Sequence, residues 1–92
     1  AINAALDSLA RGLALELSPI RVNSVSPGMI DTPLWADMDA QAREAMYESV
    51  ASSVPAKVMG RPDDVANAVL YLMQTPFATG STVRVDGGGA IA

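Results

Sequence analysis

The sequence contains two short segments with the composition of β-strands, separated by two helical segments. β-Branched residues bounded by proline and glycine predict the strands at Ile20–Ser26 and Ser81–Val85. Helices are predicted between them, from about Asp39 to Ser53 and from Gly60–Asp64 to Thr75. Strands separated by helices in this way favour a right-handed crossover and parallel pairing.

A two-stranded parallel sheet is too small to form a stable unit by itself. Parallel sheets normally lie buried between layers of helices, and an open sheet edge invites association. The chain has 92 residues, which allows one small domain at most. We therefore expect an α/β fold consisting of one end of a doubly wound, Rossmann-type parallel sheet, in the order helix, strand, helix, helix, strand, and incomplete without its other strands.

The first helix has an apolar period that is already running at the second residue. No N-cap residue precedes it, so we expect residue 1 to lie inside a longer helix; the alternative is a natural start after removal of the initiator methionine. The helix is expected to stop at Ser18-Pro19. Leucines at helical spacing predict a face that packs on a sheet or core: Ile2, Leu6, Leu9, Leu13 and Leu17.

A second stripe of the same helix is made of small residues, which let another helix approach closely. Its members are Ala1, Ala5, Ser8 and Gly12. Glycine inside a helix costs roughly 1 kcal/mol relative to alanine, so a packing role for Gly12 is a reasonable explanation. The alternative is a helix that is merely rich in alanine. The last helix is expected to bury Val65, Val69, Leu72 and Met73.

The composition excludes several classes of function within this chain. There is no cysteine and no histidine, so disulfides, the usual zinc sites and catalytic triads with histidine are ruled out. The formal charge is −4 with no basic run, and we expect no nucleic-acid partner. No apolar run is long enough to span a membrane, and we expect a cytoplasmic location.

The segment Pro27–Thr32, PGMIDT, is the most informative candidate site. It follows directly after a predicted strand, and ligands of open α/β sheets bind at the carboxyl ends of the strands. Its exposed backbone groups, with the Thr32 hydroxyl, could recognise the edge of a carboxamide. The alternative is an ordinary turn that ends a strand.

Two further features have competing interpretations. Gly87–Gly89 resembles a phosphate loop, but no helix is predicted after it, so a flexible or tightly turned tail is the better interpretation. Trp35 lies in a predicted loop, where it could either cover a substrate or anchor the loop by local packing. No cluster of side chains suggests a metal site.

Four segments of the chain, in order, resemble the short-chain dehydrogenase/reductase family. They are RGLALEL, IRVNSVSPGMIDTP, GRPDDVANAVLYLM and ATGSTVRVDGG. The resemblance spans residues 1–92 and implies the C-terminal part of a single Rossmann domain that uses NAD or NADP for hydride transfer. The family's glycine-rich loop and its catalytic tyrosine and lysine have no counterpart here, so no catalytic residue is assigned; the lysine would fall just before Ala1.

The resemblance also implies roles for particular residues. Pro27, Gly28, Ile30 and Thr32 match the turn that binds the nicotinamide. Residues 33–59 match a substrate-binding loop and lid, and the substrate contacts it implies are Met29, Leu34, Trp35 and Met38. An alcohol or ketone substrate and a homo-oligomer, dimer or tetramer, are implied as well. The small-residue stripe would then belong to one subunit contact, and the last helix and strand to another.

The sequence is therefore compatible with two functions. The first is the C-terminal segment of an NAD(P)-dependent oxidoreductase, completed by the missing N-terminal part of the same enzyme and inactive without it. The second is a non-enzymatic fragment that acts as a self-associating interaction module through its open sheet edge and small-residue helix.

Overall fold

A computed structural model describes the backbone of residues 2–92 and the side chains from residue 4 onward. The predicted order of elements is confirmed. The chain forms α1 (Ile2–Glu16), β1 (Ser24–Pro27), α2 (Ala40–Ser53), α3 (Pro62–Gln74) and β2 (Thr82–Val85), with short 3-10 helices at Pro33–Trp35 and Gly89–Ile91.

The two strands pair in parallel, as the sequence predicts. The register runs from Ser24 beside Thr82 to Pro27 beside Val85. The carboxyl ends of both strands therefore lie at the same edge of the sheet, and the segments that follow them are neighbours.

The first strand is four residues shorter at its start than predicted, because the chain opposite residues 20–23 is a turn rather than a strand. Gly80 in that turn has a φ of +69° and donates its N–H to the carbonyl of Val22 at 2.7 Å. The N–H of Val22 is bound by the Thr79 hydroxyl at 3.1 Å. A regular ladder begins only at Ser24, where its N–H meets the Ser81 carbonyl at 2.9 Å.

The segment before β1 holds the end of α3 through the side chain of Arg21. Its guanidinium donates to the carbonyls of Leu72 at 2.7 Å, Met73 at 3.1 Å and Ala78 at 3.1 Å. Carbonyls at a helix C-terminus lack helical partners and attract positive charge. Arg21 thus ties α3 and the following turn to the strand that bears the candidate site.

Both helices between the strands begin as their sequences predict. Asp39 caps α2 by accepting the N–H of Ala42 at 3.2 Å. Pro62 opens α3, and the Asp64 carboxylate accepts the N–H of Arg61 at 2.9 Å.

The predicted buried face of α1 is only partly covered: Leu13 is half-buried, three other leucines are exposed, and the side chain of Ile2 lies outside the described residues. The helix contacts the strands through a different stripe, on which Ala10 is buried and Asp7 binds the Thr82 hydroxyl at 2.7 Å. That stripe lies about a quarter turn from the leucines. Leu6, Leu9 and Leu17 are consequently 50%, 55% and 43% exposed.

The predicted buried face of α3 is partly wrong for a similar reason. Ala68 and Leu72, one helical turn apart, are buried against the sheet. Val69 and Met73 lie beside this stripe rather than on it, and both are exposed. Among the side chains described, the buried apolar set consists of Ala10, Ala68, Leu72 and Ala78.

The dimensions agree with this small core. The radius of gyration is 15.5 Å and the principal extents are 49 × 23 × 22 Å. A compact domain of this length would have a radius of gyration of about 12 Å. The chain is therefore elongated and less compact than a complete domain of its length.

Replacing Arg21 by methionine should lower the free energy of unfolding by about 2–3 kcal/mol, because two carbonyls at the end of α3 and one in the following turn lose a charged donor. Urea denaturation measures the change. Arg11→Met is the matched control, since the Arg11 side chain binds only Ser8 on the surface of α1 and its loss should cost less than about 0.5 kcal/mol. Equal effects of the two substitutions would contradict this role of Arg21.

Candidate functional site

The segment Pro27–Thr32 leaves the carboxyl end of β1 and is held on two sides by backbone hydrogen bonds. Gly28 donates its N–H to the Val85 carbonyl at 2.9 Å, which continues the strand pairing. Asp31 donates its N–H to the Gly60 carbonyl at 2.8 Å, and Ile30 and Gly60 form an isolated parallel bridge. The turn is therefore fixed between the end of β2 and the start of α3.

Two glycines permit these contacts because no side chain would fit. A Cβ on Gly28 would lie 2.8 Å from the Cβ of Asp86. A Cβ on Gly60 would lie 2.7 Å from the carbonyl oxygen of Met29. Gly28 thus serves close packing on β2, and Gly60 was missed as part of the site because its partner is 30 positions away in the sequence.

Trp35 folds back onto the turn. Its indole Nε1 donates to the carbonyl of Ile30 at 2.9 Å, and its backbone N–H binds the Thr32 carbonyl at 3.1 Å. The side chain is half-buried. Of the two interpretations open from the sequence, the structure supports the local anchor.

An open cleft of about 820 Å³ lies at the carboxyl ends of the two strands. We call it the strand-end cleft. Pro27, Gly28 and Met29 form one wall, and Val50 of α2 and Val54 just after the helix contribute apolar surface. A volume of this size is in the range of small-molecule binding sites.

A second concavity, of about 520 Å³, lies on the far side of the turn. Thr32, Arg43 and Tyr47 are among its lining residues. The Tyr47 hydroxyl donates to Asp31 Oδ1 at 2.5 Å, which connects α2 to the turn. This hydrogen bond to a carboxylate, with a smaller effect of desolvation, raises the pKa of Tyr47, because ionisation would break the bond and place two negative charges together.

The glycine run after β2 forms a tight turn, as expected. Gly87 and Gly88 have φ values of +64° and +87°. The Asp86 carboxylate accepts the N–H of Gly88 at 2.9 Å and that of Ala90 at 3.1 Å. An acidic side chain of the protein therefore already occupies the amide groups that a phosphate would need.

The known proteins that resemble this chain belong to one family. The family model described as enoyl-(acyl carrier protein) reductase matches residues 1–90. A short-chain dehydrogenase/reductase of Stachybotrys chlorohalonatus is 45% identical over 84 residues, covering 91% of this chain and 33% of that protein. The sorbose reductase of Schizosaccharomyces pombe is 44% identical over 91 residues, covering 96% of this chain and 34% of that protein.

The solved structures agree. A small-chain dehydrogenase crystallised in complex with NADPH superposes with a TM-score of 0.88 at 41% identity, over 99% of this chain and 42% of that one. The chain belongs to the short-chain dehydrogenase/reductase family. It spans about a third of the length of the curated relatives it matches. This short-chain dehydrogenase segment is thus part of an α/β fold of the Rossmann type.

The predicted site residues of this dehydrogenase segment do not all line the same cavity. Pro27, Gly28 and Met29 line the strand-end cleft, and Thr32 lines the second concavity. Ile30 lies between them in the bridge to Gly60.

The remaining predicted residues lie around the 3-10 helix at Pro33–Trp35. Leu34 is 76% exposed, and Trp35 and Met38 are half-buried. These three side chains therefore line neither concavity. The pair Asp31–Tyr47 was missed, because no local spacing relates a turn residue to a helix residue 16 positions later.

Within residues 2–92, no helix is long and apolar enough to cross a membrane. No group of three or more acidic residues in the same range lies close enough together to hold a metal ion.

The raised pKa of Tyr47 should be measurable by its phenolate absorbance in a pH titration. The part of the absorbance change that disappears in Tyr47→Phe belongs to Tyr47. Its midpoint should lie above the ordinary tyrosine pKa of about 10. Stability from the hydrogen bond is fully present below pH ~10 and is lost as the pH rises through the higher folded-state pKa. Asp31→Ala should lower that pKa; an unchanged titration would contradict the contact.

Proposed function

We propose that this segment belongs to an NAD(P)-dependent oxidoreductase that interconverts an alcohol and a ketone, and that it supplies the nicotinamide-side turn and the substrate lid. The observation that carries the proposal is the turn Pro27–Thr32, fixed at the carboxyl end of a parallel strand by Gly60. Membership of the short-chain dehydrogenase/reductase family supports it, as does the NADPH bound to a similar protein.

The groups at the turn fit a nicotinamide carboxamide. A carboxamide presents one acceptor oxygen and two N–H donors along one edge. Ile30 provides a backbone N–H, and Thr32 provides a hydroxyl that can donate or accept. Among the hydrogen bonds formed within residues 2–92, neither group is used. A donor and a group that can donate or accept are therefore free two positions apart on a rigid turn.

Rigidity of the turn would favour binding, since little conformational entropy is lost when a preformed site takes its ligand. The Trp35 indole bond and the Asp31–Gly60 bond hold the backbone on both sides of Ile30. When bound, the nicotinamide would donate or accept the hydride of the reaction. The choice between NAD and NADP is left open by these residues.

The substrate side of the site is proposed to be apolar. Met29 is 42% exposed and borders the strand-end cleft, which Val50 of α2 and Val54 just after the helix also line. Residues 33–59 are proposed to form the lid, with Trp35 anchoring its first part to the turn and with Leu34, Trp35 and Met38 as its contacts to the substrate.

Proton transfer is proposed to come from a tyrosine and a lysine that lie outside this chain, so we assign no catalytic residue to residues 1–92. The exposed leucines of α1 are proposed to pack on the remaining part of the same enzyme. A cytoplasmic location and a homo-oligomer, dimer or tetramer, complete the proposal. The small-residue stripe on α1 would form one contact, where Gly12 faces open space in this chain.

Thr32→Val tests the cofactor site in the full-length protein. We expect binding of NADPH or NADH, followed by nicotinamide fluorescence, to weaken about five- to tenfold, the effect of losing one hydrogen bond. Thr75→Val is the matched control, because the Thr75 hydroxyl binds the Tyr71 carbonyl at the end of α3, away from the turn. Failure of the protein to bind either coenzyme would overturn the proposed function.

Gly12→Leu tests the subunit contact. Within this chain the new side chain has room, since no heavy atom lies within 4 Å of the position of its Cβ. Light scattering after size-exclusion chromatography should therefore show a smaller assembly with unchanged helix content. Ser49→Leu, on the exposed face of α2, should leave the assembly intact. An unaltered assembly in Gly12→Leu would exclude this stripe as the interface.

A further inference from the structure

The helix α2 is held in place mainly by polar contacts. No residue of α2 is buried, and its sequence has no strong apolar face. At its C-terminal end, Lys57 binds the Ser52 carbonyl at 2.7 Å, and the Ala56 N–H binds the Gly87 carbonyl at 2.9 Å. These contacts fix where the helix ends but do not fix its body against the turn.

Two side-chain hydrogen bonds join the body of α2 to the segment after β1. The Tyr47 hydroxyl binds the Asp31 carboxylate at 2.5 Å. Arg43 reaches the Ala36 carbonyl at 3.4 Å, a distance at the limit for a hydrogen bond. Bonds to a charged acceptor are about twice as strong as neutral ones. The Asp31–Tyr47 pair is therefore the main connection between the body of the helix and the turn.

Asp31 connects the turn to α2. It lies between Ile30 and Thr32, the residues proposed to bind the carboxamide, and its own N–H is bonded to Gly60. A ligand that binds Ile30 and Thr32 on either side of Asp31 also restrains the Asp31 backbone, and with it the carboxylate. The restrained carboxylate would then hold the helix through Tyr47.

We propose that Asp31 and Tyr47 are a positioning pair that couples coenzyme binding at the turn to closure of α2 over the site. The inference rests on the proposed function and extends it to the lid. Neither residue is assigned a chemical step. Arg43, on the same helix, faces the pair with the opposite charge to Asp31 and lines the same concavity.

Limited proteolysis of the full-length protein measures the opening of α2 directly, because trypsin can cleave after Arg43 only when the helix unfolds locally. Mass spectrometry identifies the cleavage. We expect Tyr47→Phe to accelerate this cleavage about fivefold, as for the loss of one exposed hydrogen bond. Tyr71→Phe is the matched control, since Tyr71 is 55% exposed on α3. Trypsin should cleave this variant at the same rate as the parent protein.

The coupling is tested by repeating the digestion with saturating NADPH or NADH. The coenzyme should slow cleavage after Arg43 in the parent protein, and Tyr47→Phe and Asp31→Ala should each abolish this protection. Asp31→Asn keeps an acceptor oxygen and should retain part of it. The double variant Asp31→Ala/Tyr47→Phe should be no worse than either single variant, because both remove the same bond.

The outcomes separate the two proposals. Coenzyme binding by fluorescence with equal protection in the parent and Tyr47→Phe would overturn the coupling and leave the proposed function standing. Additive effects in the double variant would also overturn it. No binding of either coenzyme to the parent protein would overturn the proposed function, and the coupling with it.

Discussion

Close backbone contact between the turn after β1 and its neighbours organises the rest of this segment. Gly28 approaches Asp86 and Gly60 approaches Met29 at distances that leave no space for a Cβ. These contacts place the turn at the edge shared by both strand ends. The strand-end cleft, the second concavity beside Thr32 and the attachment of α2 all follow from that placement.

The exposed apolar surface has a simple physical explanation in a segment that spans about a third of its relatives. Burial of a leucine contributes about 1.5–3 kcal/mol, but the buried set among the side chains described consists of one leucine and three alanines. Polar contacts such as those of Arg21 position the elements, but the leucines of α1 lie on a face that these elements do not cover. The stability of the segment therefore depends on contacts beyond its own residues.

The order of elements, the parallel pairing and the place of the turn could be predicted because local signals specify them. Proline and glycine end the strands, and Asp64 starts α3. Periodicity did not identify the buried faces, since a helix in an incomplete sheet contacts only part of its apolar surface. The Arg21, Gly60 and Tyr47 contacts join residues far apart in the sequence, and spacing along the chain carries no signal for them.

Because α2 is held by polar contacts, it can open and close readily. A helix that buries an apolar face opens only at the cost of exposing it, whereas a helix held by a few polar bonds exchanges them for bonds to water at a small net cost. Substrate access requires a lid that opens readily, and catalysis requires the same lid to close in one position. A hydrogen bond from Tyr47 to Asp31 meets both needs. It is directional, and at an exposed position it can be exchanged for bonds to water. Its acceptor belongs to the turn that would hold the coenzyme.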